Sequence, residues 1–268
     1  MLIAFMSRLA RVRFTVGYAS ILAAVSTALV VLGPRVRAEV VRDASTNLHN
    51  LAHGNLGSLF GSAFVTDAGP IYVWLPGLMC LLALAELIWC SGRLTVVFVT
   101  GHLGATLVVA AGLTTAVKLG WMPLSISRAS DVGMSYGAVA VLGALSAAVP
   151  RRWRPAWLGW WVPVGITAAV VGTDFTDAGH SVALLLGMLV STRFGQRPAS
   201  WTTARYLMLA VASVFGFFLL NHTGWAVLVG VGAGAVGAVA ADRFTRSRRV
   251  RRELPAPAAA AAVPALNC

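Results

Sequence analysis

The chain has 268 residues, of which 58% are hydrophobic and 11% charged, with a formal net charge of +12. So little charge leaves too few polar residues to clothe a soluble domain and points to an all-α, polytopic transmembrane helical bundle surrounded by membrane lipid. The basic residues lie between apolar runs of spanning length rather than in one patch, which is the pattern of lipid-flanking loops and excludes nucleic acid as a partner.

Residues 1–13 form a basic N-terminal segment, expected in the cytoplasm. Phe14 to Leu32 is long enough to span and is followed by no small-residue cleavage site, so it reads as a retained first helix rather than a signal peptide. At about 20 residues per crossing, spans are expected near 14–34, 71–90, 94–114, 131–149, 156–173, 180–195, 205–220 and 224–241. The long external loop 35–70 contains an amphipathic, Gly-rich stretch over 47–64, suited to interfacial or re-entrant helices. Val229 to Gly237 has neither the Lys nor the preceding strand of a phosphate loop and reads as a helix-packing surface. The expected organisation is a membrane core over 14–195, two further transmembrane helices within 196–242, and a cytoplasmic tail over 243–268. That tail is basic at first, attracted to anionic lipid, then Pro/Ala-rich and disordered.

The distribution of Lys and Arg tests this division, because cytoplasmic loops carry the excess of both. All but five of the 21 fall on one side of the expected bundle; the other side receives Arg35, Arg37, Arg42, Lys118 and Arg128. A miscounted helix would scramble that separation. An even number of spans follows, with both termini in the cytoplasm of a cell bounded by this membrane.

Few side chains inside the spans can carry chemistry. Ser135 lies in Gly133-Met134-Ser135-Tyr136-Gly137, a G-x-S-x-G pattern at the outer end of the fourth span, and His180 at the outer end of the sixth. Both are therefore at one depth. A serine beside a histidine base is the minimum for nucleophilic catalysis, since the hydroxyl must lose its proton as it attacks. Gly133, Gly137, Ala138, Ala183 and Gly187 are small enough to let the two helices approach. Asp131 lies one turn before Ser135, and Asp174 and Asp177 precede His180; each can orient the histidine or cap a helix. Glu86 is expected to meet a backbone donor or Arg93, and His102 to be a buried hydrogen-bonding group. His49 and His53 share a helical face, but no third metal ligand accompanies them. Cys80, Cys90 and Cys268 form no metal or disulfide spacing. No metal or cofactor is expected.

Over residues 12 to 195 the sequence resembles the rhomboid superfamily of intramembrane serine proteases, particularly the divergent rhomboid-like proteins of actinobacteria. The likeness is carried by the Gly133 to Gly137 serine motif, by His180 with Gly187 seven residues on, and by Glu86 followed by Ser91, Gly92 and Arg93. It implies a six-helix core with Ser135 on the fourth helix and His180 on the sixth, in a water-filled cavity that opens outward. Two departures stand against it. Tyr136 occupies the place of a glycine, and Ser58 and Ser62 take the places of the His and Asn that support the oxyanion in active members. The resemblance thus implies either an intramembrane serine protease acting on transmembrane substrates through a Ser135–His180 dyad, or a catalytically inactive pseudoprotease that binds or routes membrane proteins.

Overall fold

Each long apolar run folds as helix in the computed structural model, which describes residues 10–67, 71–194 and 200–253. In chain order these are α1 (Arg13–Leu32), α2 (Pro34–Ala44), the short α3 (Leu48–Ala52) and α4 (Ser58–Gly61), α5 (Ile71–Lys118), α6 (Ser135–Ala144), α7 (Arg154–Val171), α8 (Phe175–Ser191), α9 (Thr203–Leu220) and α10 (Gly224–Glu253). Among the described residues there is no strand. Apolar side chains such as Val31, Val73, Val170, Leu189, Leu207 and Val236 are exposed around the outside. In a helical bundle with this composition, that coat is the surface presented to lipid. Among the described residues, four helices are long and apolar enough to cross a membrane: Ala10–Leu32, Ile71–Lys118, Thr203–Leu220 and Gly224–Arg248. The chain is a multi-pass membrane protein.

The 48-residue α5 is two crossings, since a straight helix of that length would run about 70 Å against a hydrocarbon core of about 30 Å. It breaks at Cys90, a non-glycine residue with φ of 71°. The break is held by Glu86. Its carboxylate accepts from the backbone N–H groups of Phe14 (2.8 Å) and Thr15 (2.9 Å), the Thr15 hydroxyl (2.7 Å) and the Ser91 hydroxyl (2.6 Å). A buried carboxylate thereby satisfies the free donors of the first turn of α1 and ties both halves of α5 to it. Of the two partners expected for Glu86, the backbone donor is the one used; Arg93 instead donates to the Phe194 carbonyl and lies over the Phe194 ring.

Around the same break, Arg13 bonds Ser91 and Arg205 bonds the Leu87 carbonyl. Basic residues far apart in the chain thus gather at one end of the bundle. At the opposite end, α3, α4 and a 3-10 turn over Ser62–Phe64 fold the stretch read as interfacial or re-entrant.

At the centre stands α6, whose residues from Tyr136 to Ala144 are all buried. Small residues make this enclosure fit. A Cβ on Gly187 of α8 would overlap the Ala140 carbonyl, one on Gly143 the Leu184 carbonyl, and one on Gly101 of α5 the Ala140 methyl. Gly137 faces the Phe98 ring of α5 rather than α8, so of the small residues expected to line the α6–α8 seam it serves a different neighbour. On the outside, Gly159 of α7 and Gly237 of α10 pack backbone against backbone, consistent with a packing role for the Gly-rich stretch of α10.

Glu86→Ala should cost roughly 2–3 kcal/mol or more, because it leaves buried donors unpaired, and Glu86→Gln less; thermal unfolding in detergent measures both. Gly187→Val should destabilise more steeply than the same change at Gly232, where a Cβ meets nothing within 4 Å.

Candidate functional site

The serine end of α6 is built by backbone conformation. The expected fourth span begins at 131, but helix starts at Ser135, because Gly133 has φ of 137°, a region closed to residues with a side chain. The Gly133 N–H donates to the Ser62 carbonyl (2.9 Å), pinning the serine loop to the turn after α4. Asp131 is tied to the same loop region: its N–H donates to Ser45 Oγ (2.8 Å), and its carbonyl and Oδ2 accept from the Thr46 hydroxyl at 3.0 and 3.1 Å. It caps no helix. With the 3-10 turn Leu145–Ala147, α6 extends about 21 Å, well short of the ~30 Å hydrocarbon core, and the loop packs over its serine end.

Ser135 is therefore the first residue of a helix with no side-chain cap. The first-turn N–H groups of Ser135, Tyr136 and Gly137 make no hydrogen bond among the described residues. Uncapped amides at a helix N-terminus favour negative charge, the property an oxyanion requires. Ser135 itself is half-buried, and its hydroxyl makes no hydrogen bond among the described residues.

His180 lies on α8 and is buried, and neither ring nitrogen has a hydrogen-bond partner among the described residues. Its ring neighbour is Tyr136. The two rings meet edge to face with centroids 5.3 Å apart and planes at 76°. Tyr136 fits there because the adjoining residue of α8 is Gly179, where a Cβ would overlap the phenol. Among the described residues no hydrogen bond joins the imidazole to the serine hydroxyl.

The acids near His180 are also engaged elsewhere. Asp177 Oδ2 accepts from the Asp174 N–H (3.2 Å) at the start of α8, and its Oδ1 lies 3.6 Å from Nδ1 of His222. That carboxylate is almost wholly buried, whereas the His222 side chain is half exposed. Asn221, the residue before it, is fully buried with both amide atoms unpaired. Asn221 and His222 form the turn between α9 and α10, so the last two helices contribute to the serine end. Neither stands out in the sequence; the available signal was a run of polar residues in a three-residue turn between apolar spans, on the same side as His180.

Ser58 donates to the Asn55 carbonyl (2.7 Å). Ser62 Oγ lies 3.1 Å from His102 Nε2, which also faces the Leu59 carbonyl at 3.1 Å. A carbonyl can only accept, so that nitrogen carries the proton and His102 fastens α5 to the loop. The Ser58 proton is thus spent on Asn55, whereas Ser62 Oγ accepts from His102, and it is the Ser62 backbone that touches the serine loop.

A family model described as "Rhomboid-like protein" matches residues 10–198. The chain belongs to the rhomboid-like family. The matched region runs from the turn before α1 past the end of α8 and contains Glu86, His102, Ser135 and His180. Over 200 residues the rhomboid-like chain is also 26% identical to NADH-quinone oxidoreductase subunit N of Acidithiobacillus ferrooxidans, covering 67% of this chain and 33% of that protein. It therefore spans about a third of that relative's length. No solved structure matches.

Burial pushes the Asp131 carboxyl up to about 6, against the opposing Thr46 hydroxyl. Folding thus favours its protonated form: the contribution is complete below the ordinary value of 3.8 and lost as pH rises through about 6. Thermal stability in detergent should fall between about pH 4 and pH 6 in the native protein, and the fall should be smaller in Asp131→Asn.

Proposed function

We propose that this rhomboid-like chain is a pseudoprotease, binding or routing the membrane-spanning segments of other proteins without cleaving them. The observation that carries this reading is the packing of His180 against the Tyr136 ring, with no hydrogen bond from either imidazole nitrogen. Serine chemistry needs a base that takes the hydroxyl proton during attack, and no hydrogen bond joins Ser135 to His180 among the described residues. Of the hydroxyls at the positions of the oxyanion-supporting side chains, that of Ser58 spends its proton on the Asn55 carbonyl, while that of Ser62 accepts from His102. Missing donors of that kind typically cost a hundredfold or more in rate.

Access supports the same reading. In α9, Phe215 packs on Gly77 of α5 and Gly216 on Leu142 of α6, so a helix arriving from the lipid on that side meets α9 before it meets the serine helix. We assign the core to 14–195 and treat the two helices within 196–242 as an addition that closes this side. The gathering of arginines at one end supports a cytoplasmic location for both termini in a cell membrane, with Ser135 toward the opposite face.

The rival reading, an intramembrane serine protease with Ser135 as nucleophile and His180 as base, rests on the uncapped amides at Ser135. A fluorophosphonate probe separates the two. The folded native protein should remain unlabelled and should leave transmembrane peptide substrates intact. Labelling that disappears in Ser135→Ala, with unfolding temperature unchanged, would overturn the pseudoprotease assignment.

A further inference from the structure

Away from the serine, the arginine-rich end carries an aromatic groove between α7 and α9. It has a volume of about 430 Å³, with Trp153, Trp157, Trp160, Trp161, Tyr206 and Leu209 among its walls. Two of these indoles, Trp157 and Trp161, have buried Nε1–H groups with no hydrogen-bond partner, and Trp161 is only 1% exposed. Both N–H groups are themselves sealed from solvent and the groove surface is almost wholly apolar, so the groove suits an occupant that is apolar along its length.

A second groove of about 480 Å³ adjoins it, sharing Trp153 and Ala156 and extending to Arg152, Asp242 and Arg246. Arg246 is paired with Asp242 at 2.9 Å. Arg152 is exposed, with its guanidinium 5.8 Å from the centre of the Trp153 ring. It belongs to the run Arg151-Arg152-Trp153-Arg154, which contains no acid. Arg154 is turned inward onto the Ala147 carbonyl (2.8 Å). The mouth shared by the two grooves is therefore cationic and aromatic, while their walls are mostly apolar.

We propose that these grooves form a binding site for one anionic phospholipid, with an acyl chain in each groove and the phosphate on Arg152. Two apolar channels meeting at one cationic point match a diacyl lipid, and basic pockets between transmembrane helices suit anionic head groups. Aromatic residues with one polar atom are at home at that level of a membrane.

Native mass spectrometry of the full-length protein, released from detergent containing equal phosphatidylglycerol and phosphatidylcholine, tests the site. The expected result is one retained phosphatidylglycerol in preference to phosphatidylcholine. Arg152→Gln should reduce that preference about fivefold, the effect of one interfacial cation, and Arg152→Lys should largely keep it. Ser213→Leu, which fills the aromatic groove, should reduce retention of both lipids. Equal retention of the two lipids, a preference unchanged by Arg152→Gln, or displacement of the lipid by inorganic phosphate would overturn the proposal. So would a dimer of this chain that Ser213→Leu dissociates. Arg152 is exposed, so the test does not depend on whether the groove-filling variant folds.

Discussion

The close approach of α6 and α8 governs the serine end of this protein. Their backbones meet where Gly187 faces the Ala140 carbonyl and Gly143 faces the Leu184 carbonyl, leaving no room along the seam for even a methyl group. Bulk can enter only at the end of the seam, and Tyr136 enters there, over Gly179. His180, next along α8, receives the edge of that ring. The relation between serine, tyrosine and histidine is thus a consequence of helix packing. In lipid such packing is favoured by small residues because helix association rests on van der Waals contact rather than on burial from water.

Two polar clamps hold this arrangement from opposite ends. Glu86 gathers the start of α1 and the break in α5, supplying an acceptor to donors that would otherwise be unpaired in hydrocarbon. At the serine end the loop between α1 and α5 is fastened through Asp131 with Ser45 and Thr46, Gly133 with Ser62, and Ser62 with His102. Asp177 divides its carboxylate, accepting from the start of α8 with one oxygen and facing His222 with the other.

Much of the architecture could be read from residues one at a time. The breadth of a bilayer sets the length of an apolar run, so the helices were visible in hydropathy, and the placement of arginine marked which ends share a side. Glu86 was legible as a buried acceptor because a carboxylate in a span must find donors. Less legible was the start of the fourth span. Hydropathy continues through residues 131–134, but Gly133 turns the backbone and Asp131 bonds across to the preceding loop. The last 15 residues, read as Pro/Ala-rich tail, lie outside the described residues.

By itself, the sequence determined the membrane class, the helical fold, the rhomboid-like family and the common depth of Ser135 and His180, since each depends on composition, spacing or local pattern. Only the tertiary structure decided what those two side chains face. Depth along a helix is set by counting residues, but direction around it depends on how neighbouring helices rotate and how near they come. Here Gly179 leaves the space that Tyr136 fills, and the turn at Asn221 and His222 brings groups from more than 40 residues away to the same end. The motif thus specified two residues at one level; packing chose the tyrosine as the histidine's neighbour.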